Sequence, residues 1–182
     1  MFYVTSDTHF CHNKEFLYGP RGFSSVDEMN EAIVDNWNRT VKHDDTVYLL
    51  GDVMLNDDKT GHQLLSSLNG HIHLIFGNHD TMGRICNGAL DTWNMENCGY
   101  AEQFKFNGYR FYLTHYPTLT SNFDSGQPLK RMLINLCGHS HTQDRFQDWG
   151  KNPIYHCELD AHNCTPVSME EIISDIEAKF NA

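Results

Sequence analysis

The order of apolar and polar residues predicts alternating strands and helices in the first half of the chain. Apolar runs in "FYVTSD", "TVYLLGD" and "HIHLIFGNHD" each end in polar residues, as buried strands do. Between them, "SSVDEMNEAIVDNWNRTV" and "TGHQLLSSLNG" have apolar residues at helical spacing. Ser25 and Glu28 form a capping box at the start of the first helix, and Gly70 ends the second. This β-α-β-α-β order predicts right-handed crossovers and a partly parallel sheet.

The second half of the chain is mostly strand. Two β-type runs in "FKFNGYRFYLTH" surround Asn107-Gly108, which is a strong hairpin signal. Two more strands are predicted in "MLINLCGHSH" and "NPIYHCELD", whereas the pattern is weak from residue 81 to about 102. The C-terminal "SMEEIISDIEAKF" starts with a second capping box, Ser168 and Glu171, and continues as an amphipathic helix. We therefore expect two packed sheets flanked by helices.

Length and charge narrow the possible functions. A chain of 182 residues fits a single domain, over residues 1–182, with one sizeable core. Its formal net charge of -11 leaves no broad basic face for duplex nucleic acid, so we expect no stable duplex binding. The sequence has no apolar run near the ~20 residues of a membrane helix, and "MFYVTSDTHF" lacks the features of a signal peptide. We expect a cytoplasmic protein with no membrane partner.

Cysteine and histidine usage directs attention to metal chemistry. The six cysteines contain no CxxC pair, which predicts free thiols and not a disulfide framework. The chain also has twelve histidines, several of them beside Asp, Asn or Gly. Bound dications would allow an acidic protein to hold a phosphate locally.

Five predicted strands run directly into a polar cluster. The clusters are Asp7-Thr8-His9, Gly51-Asp52, Gly77-Asn78-His79-Asp80, Thr114-His115 and Gly138-His139-Ser140-His141. Ligands of open α/β sheets bind outside the carboxyl ends of the strands, so these clusters are expected to converge. Each cluster alone is an ordinary turn or surface feature, but five in order at strand ends favour a common site.

The residue types in these clusters suit a pair of first-row dications. Carboxylate and imidazole together favour Mn²⁺, Fe²⁺ or Zn²⁺, whereas an all-carboxylate set would favour Mg²⁺ or Ca²⁺. The clusters supply more ligands than one tetrahedral ion uses. A carboxylate can bridge two ions, and ions about 3.5–4 Å apart can clamp a phosphate and activate a water.

The same clusters resemble the calcineurin-like metallophosphoesterase superfamily, whose pattern is DxH, GD, GNH[DE], a lone His and GHxH. All five blocks occur in order from residue 7 to residue 141. The chain looks like a small single-domain prokaryotic or phage-type member. The resemblance implies a four-layer α/β/β/α sandwich of two mixed sheets with a dinuclear metal site at the strand ends.

The resemblance also implies a role for each motif residue. Two divalent ions would be bound, with Mn expected first and Fe, Zn or Ni as alternatives. The implied ligands are Asp7, His9 and His141 for one ion, Asn78, His115 and His139 for the other, and Asp52 as the bridge. His79 would not bind metal but would protonate the leaving oxygen, a role for which histidine is the commonest side chain. A hydroxide between the ions would attack phosphorus in line, and we expect Asp80 to favour protonated His79.

Departures from the family pattern bear on the substrate. In "GDVMLND", Leu55 stands where protein Ser/Thr phosphatases have the Asp of GDxxDRG, and the Arg is missing. We therefore expect a phosphodiester or a small nucleotide-like phosphoester, bound in a small pocket between loops 10–24, 81–102 and 117–131. The alternatives are a nuclease acting on single-stranded or terminal nucleic acid, and a scaffold that kept the fold but lost catalysis.

The sequence leaves two alternative roles open for several residues near the motifs. His12 either contacts the substrate phosphate or supports the first metal, or it is an exposed loop residue. Arg21 either binds a distal phosphate or belongs to a solvated loop, and the same alternatives hold for Lys130 and Arg131. A further set of residues could form a separate zinc site, but ordinary core and surface positions are favoured for them: His156, Cys157, His162 and Cys164.

Overall fold

The computed structural model describes residues 1–86, 94–97, 99–120, 127–147 and 152–180. The strands of the described residues are Phe2–Thr5 (β1), Thr46–Leu49 (β2), His71–Leu74 (β3), Met95–Asn97 (β4), Ala101–Phe106 (β5), Tyr109–Thr114 (β6), Leu133–Cys137 (β7), Phe146–Gln147 (β8), Ile154–His156 (β9) and Val167–Ser168 (β10). The α-helices are Glu15–Tyr18 (α1), Val26–Thr40 (α2), Asp58–Ser66 (α3), Met82–Cys86 (α4) and Met169–Phe180 (α5).

The first sheet has the strand order β10-β1-β2-β3-β4. β1, β2, β3 and β4 are parallel, and β10 pairs with β1 in antiparallel orientation. The connections from β1 to β2 and from β2 to β3 contain α2 and α3, as parallel neighbours require. The predicted partly parallel sheet is therefore confirmed, and its four parallel strands end at one common edge.

The two predicted capping boxes form with one change of partner, whereas α3 ends at Ser66 with Ser67 as its C-cap and not at Gly70 as predicted. The Ser25 hydroxyl accepts a hydrogen bond from the Glu28 backbone N–H, as expected for an N-cap. The Glu28 carboxylate, however, accepts from the backbone N–H and hydroxyl of Ser24 and not from Ser25. At the start of α5, the Ser168 hydroxyl accepts from the Glu171 backbone N–H in the same way as Ser25 does in α2.

The second sheet has the strand order β5-β6-β7-β9-β8. β5 and β6 form the predicted hairpin, and Asn107 and Gly108 both have positive φ (48° and 84°), as a type I′ turn requires. β6, β7 and β9 are parallel, and β8 is antiparallel to β9. Both sheets are therefore mixed, as predicted, and β6 and β7 also direct their carboxyl ends to one edge.

The core consists of two clusters on the two faces of the first sheet. Alternate residues of β1 and β2 face opposite ways, so Tyr3 and Val47 join one cluster and Val4 and Tyr48 the other. The first cluster contains the buried faces of α2 and α3. The second joins the first sheet to the second and includes the apolar stripe of α5. The helices and both sheets are therefore held by burial of alternating apolar residues.

Other predictions concern cysteines, the weakly patterned segment and membranes. Cys11, Cys137, Cys157 and Cys164 are buried free thiols, as predicted, whereas the side chains of Cys86 and Cys98 lie outside the described residues. The segment 81–102 contains α4 and β4, and part of it also lies outside the described residues. In the described part of the chain, every helix is too short or too polar to cross a bilayer.

Candidate metal centre

The strand ends bring the motif side chains into two neighbouring groups. Each of Asp7 and Asp52 follows a parallel strand of the first sheet, and His115 follows β6 of the second. The first group is Asp7, His9 and His141; the second is Asp52, His115 and His139. Within each group, one potential ligand atom per residue lies within 4.8 Å of the others. The predicted convergence of distant motifs is therefore present in the structure.

The first group is built around buried atoms that lack partners. His9 Nε2 lies 3.6 Å from Asp7 Oδ1, and His141 Nε2 lies 3.8 Å from the same oxygen. Asp7 Oδ1 and His9 Nε2 are both buried and without a hydrogen-bond partner in the structure. A buried polar atom left unpaired is costly, so an acceptor oxygen and an imidazole nitrogen facing each other fit a shared cation.

The second group surrounds His115, whose tautomer is set by the backbone. His115 Nδ1 lies 2.8 Å from the carbonyl oxygen of Leu50, to which it donates, so Nε2 keeps its lone pair. Around that Nε2 lie Asn78 Oδ1 at 2.9 Å and His139 Nδ1 at 3.2 Å. Two ligand atoms bound to one ion at about 2.1 Å are separated by about 3–3.5 Å, so this spacing fits a metal.

Asp52, a member of the second group, also borders the first group. Its Oδ2 is 3.6 Å from His9 Nε2 in the first group and 3.5 Å from His115 Nε2 in the second. Its Oδ1 accepts a hydrogen bond of 2.8 Å from the backbone N–H of His79, which fixes the carboxylate orientation. One carboxylate oxygen is thus within ligand-to-ligand distance of both groups.

His79 faces the open side of this centre. Its side chain is 41% exposed, and its Nε2 lies 3.9 Å from Asp52 Oδ2. Its ring is 5.5 Å from the ring of His9. The structure therefore brings His79 beside the two groups while leaving it accessible to a bound molecule.

Asp80 does not act where the sequence interpretation put it. Its carboxylate accepts hydrogen bonds from the backbone N–H groups of Asp52, Val53 and Gly77, at 2.7, 3.0 and 2.8 Å. Burial raises its pKa, and these hydrogen bonds oppose that rise. The carboxylate thus joins the loop that carries Asp52 to the loop that carries Gly77, through three backbone donors.

Arg21 is also placed differently from the expected distal phosphate contact. Its side chain is 1% exposed and forms a bidentate pair with Asp160, with Nε at 3.1 Å and Nη2 at 2.7 Å from the carboxylate oxygens. Nη2 also donates to the backbone carbonyl of Asp7 at 2.8 Å. Because its guanidinium donates to Asp160 and to the Asp7 backbone, Arg21 supports the residues of the first group and does not face solvent.

Asp160, which the sequence analysis did not identify, orients a proposed ligand. His141 Nδ1 lies 3.0 Å from Asp160 Oδ2, which leaves His141 Nε2 directed at Asp7. Burial would raise the pKa of Asp160, but hydrogen bonds from His141 and Arg21 lower it to about 2. Burial would lower the pKa of His141, but Asp160 raises it. A carboxylate behind a metal-facing imidazole is a usual arrangement in metal sites.

His12 contacts the first group from the solvent side. Its Nδ1 lies 3.3 Å from His9 Nδ1, whereas the other nitrogen of that ring, Nε2, faces Asp7 and Asp52. Its own ring is 6.1 Å from the ring of His79. Burial, followed by the neighbouring His9 and His79, lowers the pKa of His12 to about 4. Of the alternatives, the geometry favours a neutral residue that supports His9 and borders the open side of the centre.

The backbone at the ligand positions is unusual. Five of the seven predicted metal ligands have positive φ, namely Asp7 (60°), His9 (47°), Asp52 (54°), His139 (72°) and His141 (49°). Non-glycine residues seldom adopt this conformation, and such strain concentrates at functional sites. Sharp turns directly after the strands let successive side chains of one motif face the same point.

The glycines of the motifs leave room for the ligands. A Cβ atom on Gly138 would overlap the side chain of Ser6 and Asp7 Oδ2, and one on Gly77 would overlap Asp52 Oδ1. The backbone N–H of His139, next to Gly138, donates to Asp7 Oδ2 at 2.8 Å.

Burial would raise the pKa of Asp7, but His9 above all lowers it, so the carboxylate is charged.

The other residues considered from the sequence have structural partners. His156 Nδ1 lies 3.1 Å from Glu158 Oε1, and its Nε2 lies 2.9 Å from Gln147 Oε1. His162 Nε2 donates to the His156 carbonyl at 2.9 Å. The Lys130 ammonium lies over the Tyr109 ring in the second sheet, at 5.3 Å from its centroid. Among the described residues, metal-ligating clusters occur only in the two groups above, so a separate zinc site is not indicated.

Comparisons with known proteins agree with this geometry. A family model described as the calcineurin-like phosphoesterase superfamily domain matches residues 1–155. The chain is 35% identical to the uncharacterized protein MJ1445 of Methanocaldococcus jannaschii over 183 aligned positions, covering 96% of this chain and 90% of that protein. The crystal structure of AQ665 from Aquifex aeolicus, a protein of unknown function, matches with a TM-score of 0.66 at 22% identity, covering 96% of this chain and 98% of that one. Yfce, a phosphoesterase from E. coli, has the same fold, with a TM-score of 0.50 at 16% identity over 86% of this chain and 77% of its own.

Proposed function

Because the chain belongs to the calcineurin-like phosphoesterase superfamily, we propose that it is a metal-dependent hydrolase of phosphoesters. The observation that carries this proposal is the position of Asp52, whose Oδ2 lies within 3.6 Å of an imidazole nitrogen of each ligand group. A shared carboxylate oxygen suits two ions side by side. We further propose that residues 1–182 form one such domain.

The two ions would be held by the residues that the structure gathers. The proposed ligands are Asp7, His9 and His141 for one ion, Asn78, His115 and His139 for the other, and Asp52 for both. When bound, divalent ions would supply Lewis-acid stabilisation of the phosphate charge and lower the pKa of a water nucleophile. The imidazole and carboxylate set suits Mn²⁺, with Fe²⁺, Zn²⁺ and Ni²⁺ as candidates to compare.

His79 is the proposed general acid. It is an accessible imidazole beside the centre that is not among the proposed ligands, and its backbone is fixed by the hydrogen bond to Asp52 Oδ1. In its protonated form it would deliver a proton to the leaving oxygen, a step that matters most for poor leaving groups. Asp80, whose carboxylate accepts from backbone N–H groups, would contribute by holding the loops that carry Asp52 and His79.

The proposed substrate is a phosphodiester or a small nucleotide-like phosphoester. The absence of the GDxxDRG extension separates the chain from protein Ser/Thr phosphatases. Phosphodiesters have poor leaving groups that need a proton, which is consistent with a general acid at position 79. The structural relative Yfce is a phosphoesterase, which supports a phosphoester as the substrate. The acidic chain is not expected to bind duplex nucleic acid.

Hydrolysis of bis-p-nitrophenyl phosphate by metal-loaded protein is the direct test. We expect turnover with Mn²⁺ and none after chelation, and Asp52→Ala should lose both turnover and bound metal because it removes the bridge. Asp44→Ala, at an exposed position before β2, is the matched control and should retain both. A metal content that stays at two ions per chain in Asp52→Ala would contradict the bridging role, and inactive protein with full metal would favour the scaffold alternative.

The nuclease alternative is separated by a second assay. An end-labelled single-stranded oligonucleotide would release nucleotides if the protein acted on terminal nucleic acid. We expect slow or no release, because an acidic chain lacks the long-range attraction that such substrates require. Faster turnover of the oligonucleotide than of small phosphodiesters would reverse the order of the two candidates.

A further inference from the structure

Phe16 is exposed on the short helix α1, close to the candidate metal centre. Its side chain is 73% accessible, whereas the next residue, Leu17, is 3% accessible and packs into the first core cluster. Leu17 therefore anchors the helix, and Phe16 contributes little to the core. A single exposed apolar residue is common on protein surfaces, so its surroundings decide whether it has a function.

A row of rings leads from Phe16 to the centre. The Phe16 ring lies 5.9 Å from the His12 ring at an interplanar angle of 90°. The His12 ring lies 6.1 Å from that of His79 and 5.1 Å from that of His9. Phe16 is thus two ring-to-ring steps from the residue that we propose as the proton donor.

We propose that Phe16 is a stacking platform for a nucleobase on the leaving-group side of the scissile phosphate. This inference rests on the proposed function, because His79 marks the side on which the leaving oxygen departs. The proposal requires a base, joined through its sugar to a phosphate at the metal centre, to lie over the Phe16 ring at the far end of the row. Base stacking on an aromatic face accepts any base, so the inferred substrates are nucleoside phosphoesters of no particular base.

A second exposed aromatic residue lies on the other side of the centre. Tyr116 is 49% accessible, and its ring lies 4.7 Å from that of His139 and 5.0 Å from that of His115. Both neighbours are proposed ligands of the second ion and lie at steep angles to the Tyr116 ring. We assign the base to Phe16 because, of these two exposed rings, Phe16 is the one that adjoins His79 through the row of rings that includes His12.

Calorimetric binding to the Mn²⁺-loaded protein tests the platform without relying on turnover. The two probes are adenosine monophosphate and ribose phosphate, which share the sugar and phosphate and differ in the base. We expect the nucleotide to bind on the order of five- to a hundredfold more tightly, the range that stacking on one aromatic side chain provides. Phe16→Leu should bring this ratio close to one while leaving the affinity for ribose phosphate unchanged.

Two further variants make the result specific. Phe2→Leu is the control, since Phe2 is an exposed aromatic residue at the start of β1, at the opposite end of that strand from the centre. It should keep the wild-type ratio. An equal affinity of wild-type protein for both probes, or an unchanged ratio in Phe16→Leu, would overturn the proposal. A ratio lost in Tyr116→Leu but kept in Phe16→Leu would also overturn it, because the base would then lie on the other side.

Kinetics separate a failure of this inference from a failure of the proposed function. We expect kcat/KM to be higher for a dinucleoside monophosphate than for a glycerophosphodiester without a ring, and the advantage should be lost through KM in Phe16→Leu. Equal hydrolysis of both substrates would reject the platform and leave the phosphoesterase proposal intact. Hydrolysis of neither substrate with any of the metals would reject the phosphoesterase proposal, and with it the leaving-group assignment of Phe16.

Discussion

His141 and Asp160 form a hydrogen bond between Nδ1 and Oδ2, 3.0 Å long, at the back of the first ligand group. Asp160 is held in turn by two donors of Arg21. The His141 ring is therefore fixed with Nε2 toward Asp7 before any ion binds. Such prior orientation lowers the cost of assembling a metal site, because the imidazole does not have to be ordered on binding.

Substitution of Asp160 by Asn tests this support. We expect about a 10- to 100-fold loss of affinity for the first ion, which is the usual effect of removing a carboxylate behind a ligating histidine. Calorimetric titration of the metal-free protein with Mn²⁺ measures it, and Asp44→Asn at an exposed position is the control. Equal metal affinity in the variant and the wild type would show that His141 is oriented by other contacts.

Substitution of Arg21 distinguishes a structural ion pair with Asp160 from a contact with the substrate phosphate. Arg21→Met removes the bidentate cationic partner of the buried Asp160 carboxylate and leaves it only His141, so we expect the free energy of unfolding to fall by about 3–5 kcal/mol. Urea unfolding of the metal-free variant measures this, with exposed Arg131→Met as the matched control. Unchanged stability combined with a higher KM for a phosphoester would instead favour the distal phosphate contact expected from the sequence.

The sequence was sufficient to predict the ligand motifs, because each follows a strand and parallel strands end at a common edge. It was not sufficient for Asp160, whose ion pair joins residues 139 positions apart and belongs to no motif. The role of Asp80 was inferred from its neighbour His79, but adjacent side chains need not face each other. Its three backbone donors come from the folded positions of two loops, which the order of residues does not reveal.

The two interpretations of Asp80 predict different effects of Asp80→Ala. The structure predicts a loss of stability of about 1–3 kcal/mol or more, because the backbone N–H groups of Asp52, Val53 and Gly77 lose their acceptor. Urea unfolding measures the loss, and Asp44→Ala is the control. If stability were unchanged and only the acidic pKa of the pH–rate profile moved, Asp80 would act on the charge of His79 as first expected.

His79 as general acid predicts a dependence on the leaving group. His79→Ala should keep its metal content, because the side chain is not among the proposed ligands, and should lose most activity toward an alkyl phosphodiester. The loss should be much smaller for a p-nitrophenyl ester, whose leaving oxygen needs no proton. A typical contribution of a positioned acid is about 10²–10⁴ in rate. Equal losses for both esters would remove His79 from proton transfer and leave it a role in positioning.

His162 gives a pH-dependent contribution to stability away from the metal centre. It is 6% exposed and donates from Nε2 to the His156 carbonyl. Burial is the main cause that lowers its pKa from 6.5 to about 4, and the charge of Arg145 adds to it. The unfolded chain therefore binds the proton more readily than the folded one. Stability from neutral His162 is complete above about pH 6.5 and is lost as the pH falls toward about 4.

Urea unfolding of metal-free protein at about pH 7 and about pH 4.5 tests this linkage. We expect His162 to account for a loss on the order of 2–3 kcal/mol between these conditions. The Phe side chain of His162→Phe cannot bind a proton. The free energy of unfolding of this variant should therefore fall less than that of the wild type between the two pH values, and the difference should equal the contribution of His162. The same substitution at exposed His43 controls for the removal of a histidine as such. If His162→Phe and wild type lost equal stability, His162 would be protonated in the folded protein as readily as in the unfolded chain.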